Sequence, residues 1–100
     1  MEKRTPHYKL AEIQAQMVSI ETLRLTASSR TGLAALGWRF HDALEVVKNL
    51  TKKDFFKSMT TYKDAKVWQD VYRPTYKGIE LYVKFQMDEQ GYFTISFKEV

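Results

Sequence analysis

The apolar residues change period halfway along the chain. Up to about residue 49 they recur at helical spacing: Leu10, Ile13, Met17 and Ile20 stand 3, 4 and 3 residues apart, which paints one stripe on a helix. From residue 55 they alternate with polar residues, the period of a half-buried strand. Helices first and strands afterwards predict an α+β fold, with N-terminal helices packed on one face of a twisted antiparallel β-sheet.

Pro6 lies just upstream of the first helix, where it breaks nothing. Residues 21–26 alternate Leu23 and Leu25 with Thr22, Arg24 and Thr26, and read as a short strand. Ser28 or Ser29 is expected to cap a second helix that carries Leu33 and Leu36 and stops at Gly37. A third helix covers about 41–49, with Leu44, Val47 and Phe40 facing in and Asp42 and Glu45 near its positive end. Thr51-Lys-Lys-Asp54 has the form of a helix-start box. Segments 55–62, 66–73, 79–87 and 92–98 read as strands, with turn residues at Lys77-Gly78 and Glu89-Gln-Gly91.

The last two strands fix their faces. Ile79, Leu81, Val83, Phe85 and Met87 face the helices, as do Phe93, Ile95 and Phe97, because the opposite choice would bury lysine. Tyr82, Lys84, Tyr92 and Lys98 then lie on the open face. Strand 66–73 is mixed, with Gln69 beside Val67 and Val71 on one side and Trp68 and Tyr72 on the other. Strand 55–62 sets Phe55, Lys57 and Met59 against Phe56, Ser58 and Tyr62.

Composition narrows the chemistry. There is no cysteine and there are two histidines in 100 residues, which removes thiolate nucleophiles, disulfides and thiolate zinc sites and leaves few ligands for a metal. The length suits a single domain over residues 1–100. No apolar stretch approaches the ~18 residues of a membrane helix, and the charged start has no signal-peptide core behind it. These features describe a small, basic domain of the cytoplasm. Residues 51–77 hold seven bases against three acids, which is the whole net charge of +4. Phe55, Phe56, Tyr62, Trp68, Tyr72 and Tyr76 interleave them. Cations with rings suit single-stranded nucleic acid; a solvated basic face over an aromatic core fits the composition equally well.

Five blocks carry a family resemblance: Met1-Glu-Lys-Arg-Thr-Pro-His7, Asp54-Phe-Phe-Lys-Ser-Met-Thr-Thr-Tyr62, Trp68-Gln-Asp-Val-Tyr-Arg-Pro74, Leu81-Tyr-Val-Lys84 and Ser96-Phe-Lys-Glu99. They resemble the MqsR, or motility quorum-sensing regulator, toxins of bacterial type II toxin–antitoxin systems. The resemblance is strongest across 54–74 and weakest in 8–50, where Trp38, Arg39 and His41 answer to no motif. It implies a RelE-like fold and an endoribonuclease that cuts mRNA at GC-containing sites without a metal or other cofactor. It implies a zinc-binding, MqsA-like antitoxin as partner, with DNA engaged only through that antitoxin. Its catalytic set falls on Lys57, Gln69, Tyr82 and Lys98, with Tyr72 and Arg73 as neighbours. Tyr62 and Lys84 join them as candidate RNA contacts.

Metal-free RNA cleavage uses the 2′-hydroxyl as nucleophile. It needs a base for that proton, charge opposite the phosphorane and a proton for the leaving 5′-oxygen. Lys57, Lys98 and Arg73 supply charge, Tyr82 or a lysine supplies acid or base, and Gln69 orients the phosphate or a base edge. His7, in the N-terminal arm, and His41, at a helix start, are set aside, and Asp54, Asp64 and Asp70 read as helix-start, turn and salt-bridge residues. Two other readings stand beside this one: an RNA-binding module that uses the same basic, aromatic face without catalysis, and a regulator that binds protein only through its sheet edge or helices.

Overall fold

The computed structural model describes residues 1–100. In chain order it contains β1 (Glu2–Lys3), α1 (Leu10–Gln16), a 3₁₀ turn (Ile20–Thr22), α2 (Ala27–Ala35), α3 (Phe40–Asn49), a second 3₁₀ turn (Lys52–Asp54), β2 (Phe55–Thr60), β3 (Trp68–Tyr72), β4 (Thr75–Tyr76), β5 (Ile79–Met87) and β6 (Phe93–Glu99). The strands form an antiparallel sheet in the order β1-β2-β3-β5-β6, with the short β4 also paired to β5. The helices cover one face, as the change of period predicts. Ile13, Met17, Leu33, Val46 and Val47 meet Leu81, Val83, Phe85, Phe93 and Ile95 in one core.

The helix ends follow local chemistry. Gly37 adopts φ 73° after α2, the left-handed stop that glycine permits. Lys77 and Gly78 both have positive φ, 50° and 79°, the geometry of a tight hairpin turn. Thr51 N donates to Asp54 Oδ2 at 2.9 Å, so the start box closes a single 3₁₀ turn.

Several expectations are corrected. α1 ends at Gln16, and a new turn begins where Ser19 N donates to Thr22 Oγ1 at 3.1 Å; Ile20 therefore leaves the stripe and is 45% exposed. Residues 21–26 make no strand. They give one parallel bridge, Leu25 to Ile95, still with Leu23 and Leu25 buried. Thr26, not Ser28 or Ser29, caps α2, accepting from Ser29 N at 3.3 Å. Ser29 is instead buried, where its Oγ accepts from Phe97 N at 2.8 Å and ties α2 to β6. Phe40 opens α3 and is exposed, because the buried side of that helix runs through Ala43, Leu44, Val46 and Val47.

Asp70 forms no salt bridge. It is 0% exposed on the covered face and accepts from His7 N at 3.1 Å, Tyr8 N at 2.9 Å and Ser58 Oγ at 2.7 Å. Three donors satisfy a buried carboxylate without a cation. This anchor, with His7 stacked on Trp68 at 5.2 Å, pins the N-terminal arm to β3.

Candidate active site

The uncovered face of the sheet is ordered by register into three rows. Met59, Gln69, Gln86 and Thr94 stand opposite one another across β2, β3, β5 and β6. Lys57, Val71, Lys84 and Ser96 form the next row. Tyr82 pairs with Lys98 in the third, and Arg73 leaves β3 beside them.

Lys57 reaches this face through a β-bulge. Phe55 stands opposite Tyr72 on the covered face, yet Lys57 stands opposite Val71 on the open one. Strict alternation would put Phe55 and Lys57 on the same side. The extra residue between them resets the phase, as a bulge does, and brings Phe56 and Lys57 together onto the open face. This explains why both sides of residues 55–62 look mixed in sequence. Phe56 completes an aromatic and cationic corner: its ring lies 6.3 Å from Tyr82, and the Arg73 guanidinium sits 5.2 Å from both rings. The signal for Phe56 in the sequence is the Phe55-Phe56 pair itself, since regular pleating turns neighbours to opposite faces.

Lys57, Tyr82, Lys84 and Lys98 line one depression of about 200 Å³ with Phe56, and its floor is Met59 and Val71. Strands lie about 4.8 Å apart, so the backbones of Lys57 and Lys98, three strands away, are separated by roughly 14 Å; only long side chains meet over such a gap. Val71, though uncovered by any helix, is 1% exposed. It lies between Lys57 and Lys84 in its row and gives the cations a dry floor.

Gln69 lies outside this depression. It lines the adjoining one, of about 440 Å³, with Met59, Lys84, Gln86 and the loop residues Tyr62 and Lys63. Its Nε2 donates to Gln86 Oε1 at 2.9 Å, so the amide is held by a partner the sequence pattern did not reveal. Tyr62 is fully exposed at the tip of that loop. A third hollow, of about 480 Å³, continues from Tyr82, Lys84 and Lys98 towards α2. Lys84 borders all three, which makes them one track across the sheet.

Tyr72 does not belong to this surface. It is 1% exposed on the covered face, edge-on to Phe55 and Phe85, and burial pushes its phenol up to about 12, helped by Asp70 and Asp54. It is a core residue, set there by the same alternation that turns Val71 outward.

One contact at the site was not foreseen. Glu2, on β1 opposite Met59, places Oε1 2.6 Å from Lys57 Nζ. The hydrogen bond and charge of Lys57 hold the Glu2 carboxyl below the usual carboxylate range. Of the site's cations, Lys57 is the one with an ion-pair partner; the protein's other salt bridge, Lys77 to Asp42, lies elsewhere. No group of three or more His, Asp or Glu side chains is placed to hold a metal, and no helix is long and apolar enough to cross a membrane.

Two comparisons bear on this geometry. Residues 5–99 match the family described as motility quorum-sensing regulator, toxin of MqsA. The chain is 39% identical over 99 residues to the mRNA interferase toxin MqsR of Escherichia coli strain K12, covering 99% of each.

Proposed function

Because the chain belongs to the motility quorum-sensing regulator toxin family, we propose that it is the toxin of a toxin–antitoxin pair and cuts mRNA on the open face of its sheet. The observation that carries this reading is the meeting of Lys57, Tyr82 and Lys98, from three strands, over one dry-floored depression. The three hollows that share Lys84 form the RNA track, and Tyr62 at its end offers a ring on which an unstacked base can lie.

The reaction needs only groups of this kind. The 2′-hydroxyl attacks the neighbouring phosphorus, the P–O5′ bond breaks, and the products are a 2′,3′-cyclic phosphate and a 5′-hydroxyl. Lys57, Lys98 and Arg73 stabilise the negative charge that builds on the phosphorane, the largest contribution that fixed cations make. Tyr82 and the lysines are the groups within the depression able to give or take a proton. Gln69, steadied by Gln86, meets RNA one row away and orients the strand. Tyr72 has no part in this, for it is buried on the other side. Cleavage proceeds without a metal, at GC-containing sites, in the cytoplasm where mRNA is translated. The partner is a zinc-binding antitoxin of the MqsA kind, through which the pair meets DNA.

The test is purified protein with single-stranded RNA in excess EDTA. Fragments with 5′-hydroxyl ends are expected from the wild type, and cleavage slowed by about 10²-fold or more from Lys98→Ala. A gel shift with no fragments would favour an RNA-binding module. Loss of cleavage on adding EDTA would overturn the metal-free chemistry.

A further inference from the structure

We propose that the groove between α2 and the free edge of β6 receives one unstacked RNA base beside the scissile phosphate, and that Glu99 makes it favour bases with an exocyclic amine. The inference rests on the endoribonuclease reading and deepens it.

The groove is the hollow of about 480 Å³ that opens from the cutting depression, sharing Tyr82, Lys84 and Lys98 with it. A phosphate held by those cations would have its neighbouring base at the groove's mouth. The two ends differ in chemistry. The mouth is cationic; the interior is walled by Leu36 and Trp38, with Gly32 between helix and strand. An apolar slot behind a phosphate site suits a flat ring on a charged backbone, and its volume lies within the range of small-ligand sites, roughly 300–1,000 Å³.

Gly32 keeps the groove open. It sits inside the nine-residue helix α2, where glycine is less favourable than alanine. Packing does not demand it: a Cβ there would meet one atom within 4 Å, Phe97 O at 3.9 Å, an ordinary contact. The missing side chain is a space, not a relief of strain.

The floor of the groove carries hydrogen-bonding groups. Val100 N donates to Glu80 O at 3.0 Å and Lys98 stands opposite Tyr82, so the even residues of β6 bond to β5 and the odd ones turn their N–H and C=O outward. Ile95 N is taken by Arg24 O and Phe97 N by Ser29 Oγ. Phe97 C=O and Glu99 N–H follow along an edge with no further strand. Glu99 lines the groove and is exposed. An ionised carboxylate only accepts hydrogen bonds. Adenine, cytosine and guanine each present an amine donor, whereas uracil presents carbonyl oxygens in its place.

The experiment digests a random-sequence single-stranded RNA with the purified toxin and maps 5′ ends, using wild type, Gly32→Ala, Gly32→Leu and Glu99→Gln, each first melted by circular dichroism. Gly32→Ala is expected to melt higher. Gly32→Leu, which fills the slot while remaining a good helix former, is expected to cut ~10-fold or more slowly. Glu99→Gln is expected to accept uracil at one fixed position beside the cut. Gly32→Leu, folded, cutting at the wild-type rate and sites would overturn the groove, and so would an unchanged base preference in Glu99→Gln. Should Gly32→Leu fail to fold, Glu99→Gln decides, since Glu99 is exposed. Wild-type protein that leaves RNA intact would instead refute the nuclease reading, and the inference falls with it.

Discussion

The two faces of β3 differ by one residue in sequence and by everything in chemistry. On the covered face, Asp70 is sealed among three donors and Tyr72 is packed between rings. On the open face, Gln69 and Val71 lie among Lys57, Lys84, Tyr82 and Lys98. The covered face leaves no buried polar side-chain atom without a partner. The open face holds Lys84, Lys98 and Arg73 with no carboxylate within ion-pair distance. Cations held close together over apolar residues, without acids to neutralise them, are a standing cost in the free protein that an RNA phosphate relieves. On the proposed reading the same strand contributes stability by one side and function by the other, and substitutions should separate the two.

The sharpest separation is expected from Lys57→Ala and Lys98→Ala. Each removes a cation or proton donor from the reacting phosphate, so cleavage should fall by about 10²-fold or more, while the melting temperature stays near that of the wild type. Single-turnover cleavage beside a thermal melt measures both. A large drop in melting temperature would show that the open face is structural after all.

Asp70→Ala should do the reverse. It strands two backbone N–H groups and the Ser58 hydroxyl, and stability should fall by about 2–4 kcal/mol, or roughly 10–25 °C in a domain of this size. The fraction that remains folded should cut RNA normally. Cleavage lost without loss of stability would mean that Asp70 acts on the site.

This division shows what the sequence could reveal. The period of two assigned β5 and β6 correctly, because each face there is uniform: lysine cannot go where Val83 and Phe85 go. Tyr82, Lys84 and Lys98 followed at once. Strand β2 resisted because its bulge breaks the period at the very point where Lys57 is delivered, and a bulge leaves no mark in composition. Tyr72 misled because proximity in the motif said nothing about which face it takes. Asp70 was misread because its partners, His7 N and Tyr8 N, are backbone groups sixty residues away. Glu2 was invisible for the same reason, since β1 is two residues long and has no period to read.

Tyr62 tests the far end of the RNA track. Its ring touches nothing that holds the fold, so Tyr62→Ala should leave the melt unchanged and weaken RNA binding by about 1–2 kcal/mol, near ten-fold in Kd. Fluorescence anisotropy at fixed salt gives the value. Unchanged affinity would move the track away from the 61–67 loop.

Asp42 compares the faces through acid. Its Oδ1 accepts from Lys77 Nζ at 2.8 Å and Tyr76 OH at 2.9 Å. The Lys77 hydrogen bond, with help from Arg39 N–H, lowers its carboxyl to about 2 from the ordinary 3.8. A depressed carboxyl stabilises the fold above its unfolded value and ceases to do so as pH falls through its folded value. Between about pH 4 and pH 2 the wild type should therefore lose about 1–2 kcal/mol, discounted because Lys77 is half exposed. Asp42→Asn should lose less over that window, and urea melts at several pH values show the difference.

The smallest effect is expected at Glu2, and it carries the opposite sign for function. Its carboxylate holds the Lys57 ammonium at 2.6 Å from a strand of only two residues, Glu2–Lys3. Exposed pairs of this kind contribute little to stability, so Glu2→Gln should leave the melt unchanged. On the proposed reading the carboxylate sits on the cation that a phosphate oxygen must reach, and RNA has to displace it. Removing the charge should therefore raise cleavage by about 2–5-fold at low salt, with the gain shrinking as salt screens the pair. Acid should mimic the substitution, because Glu2 holds its charge above the ordinary carboxylate value and gives it up only as pH falls through its lowered one. A fall in cleavage on Glu2→Gln would show instead that the carboxylate positions Lys57 for the reaction, and would move Glu2 from competitor to contributor on the open face.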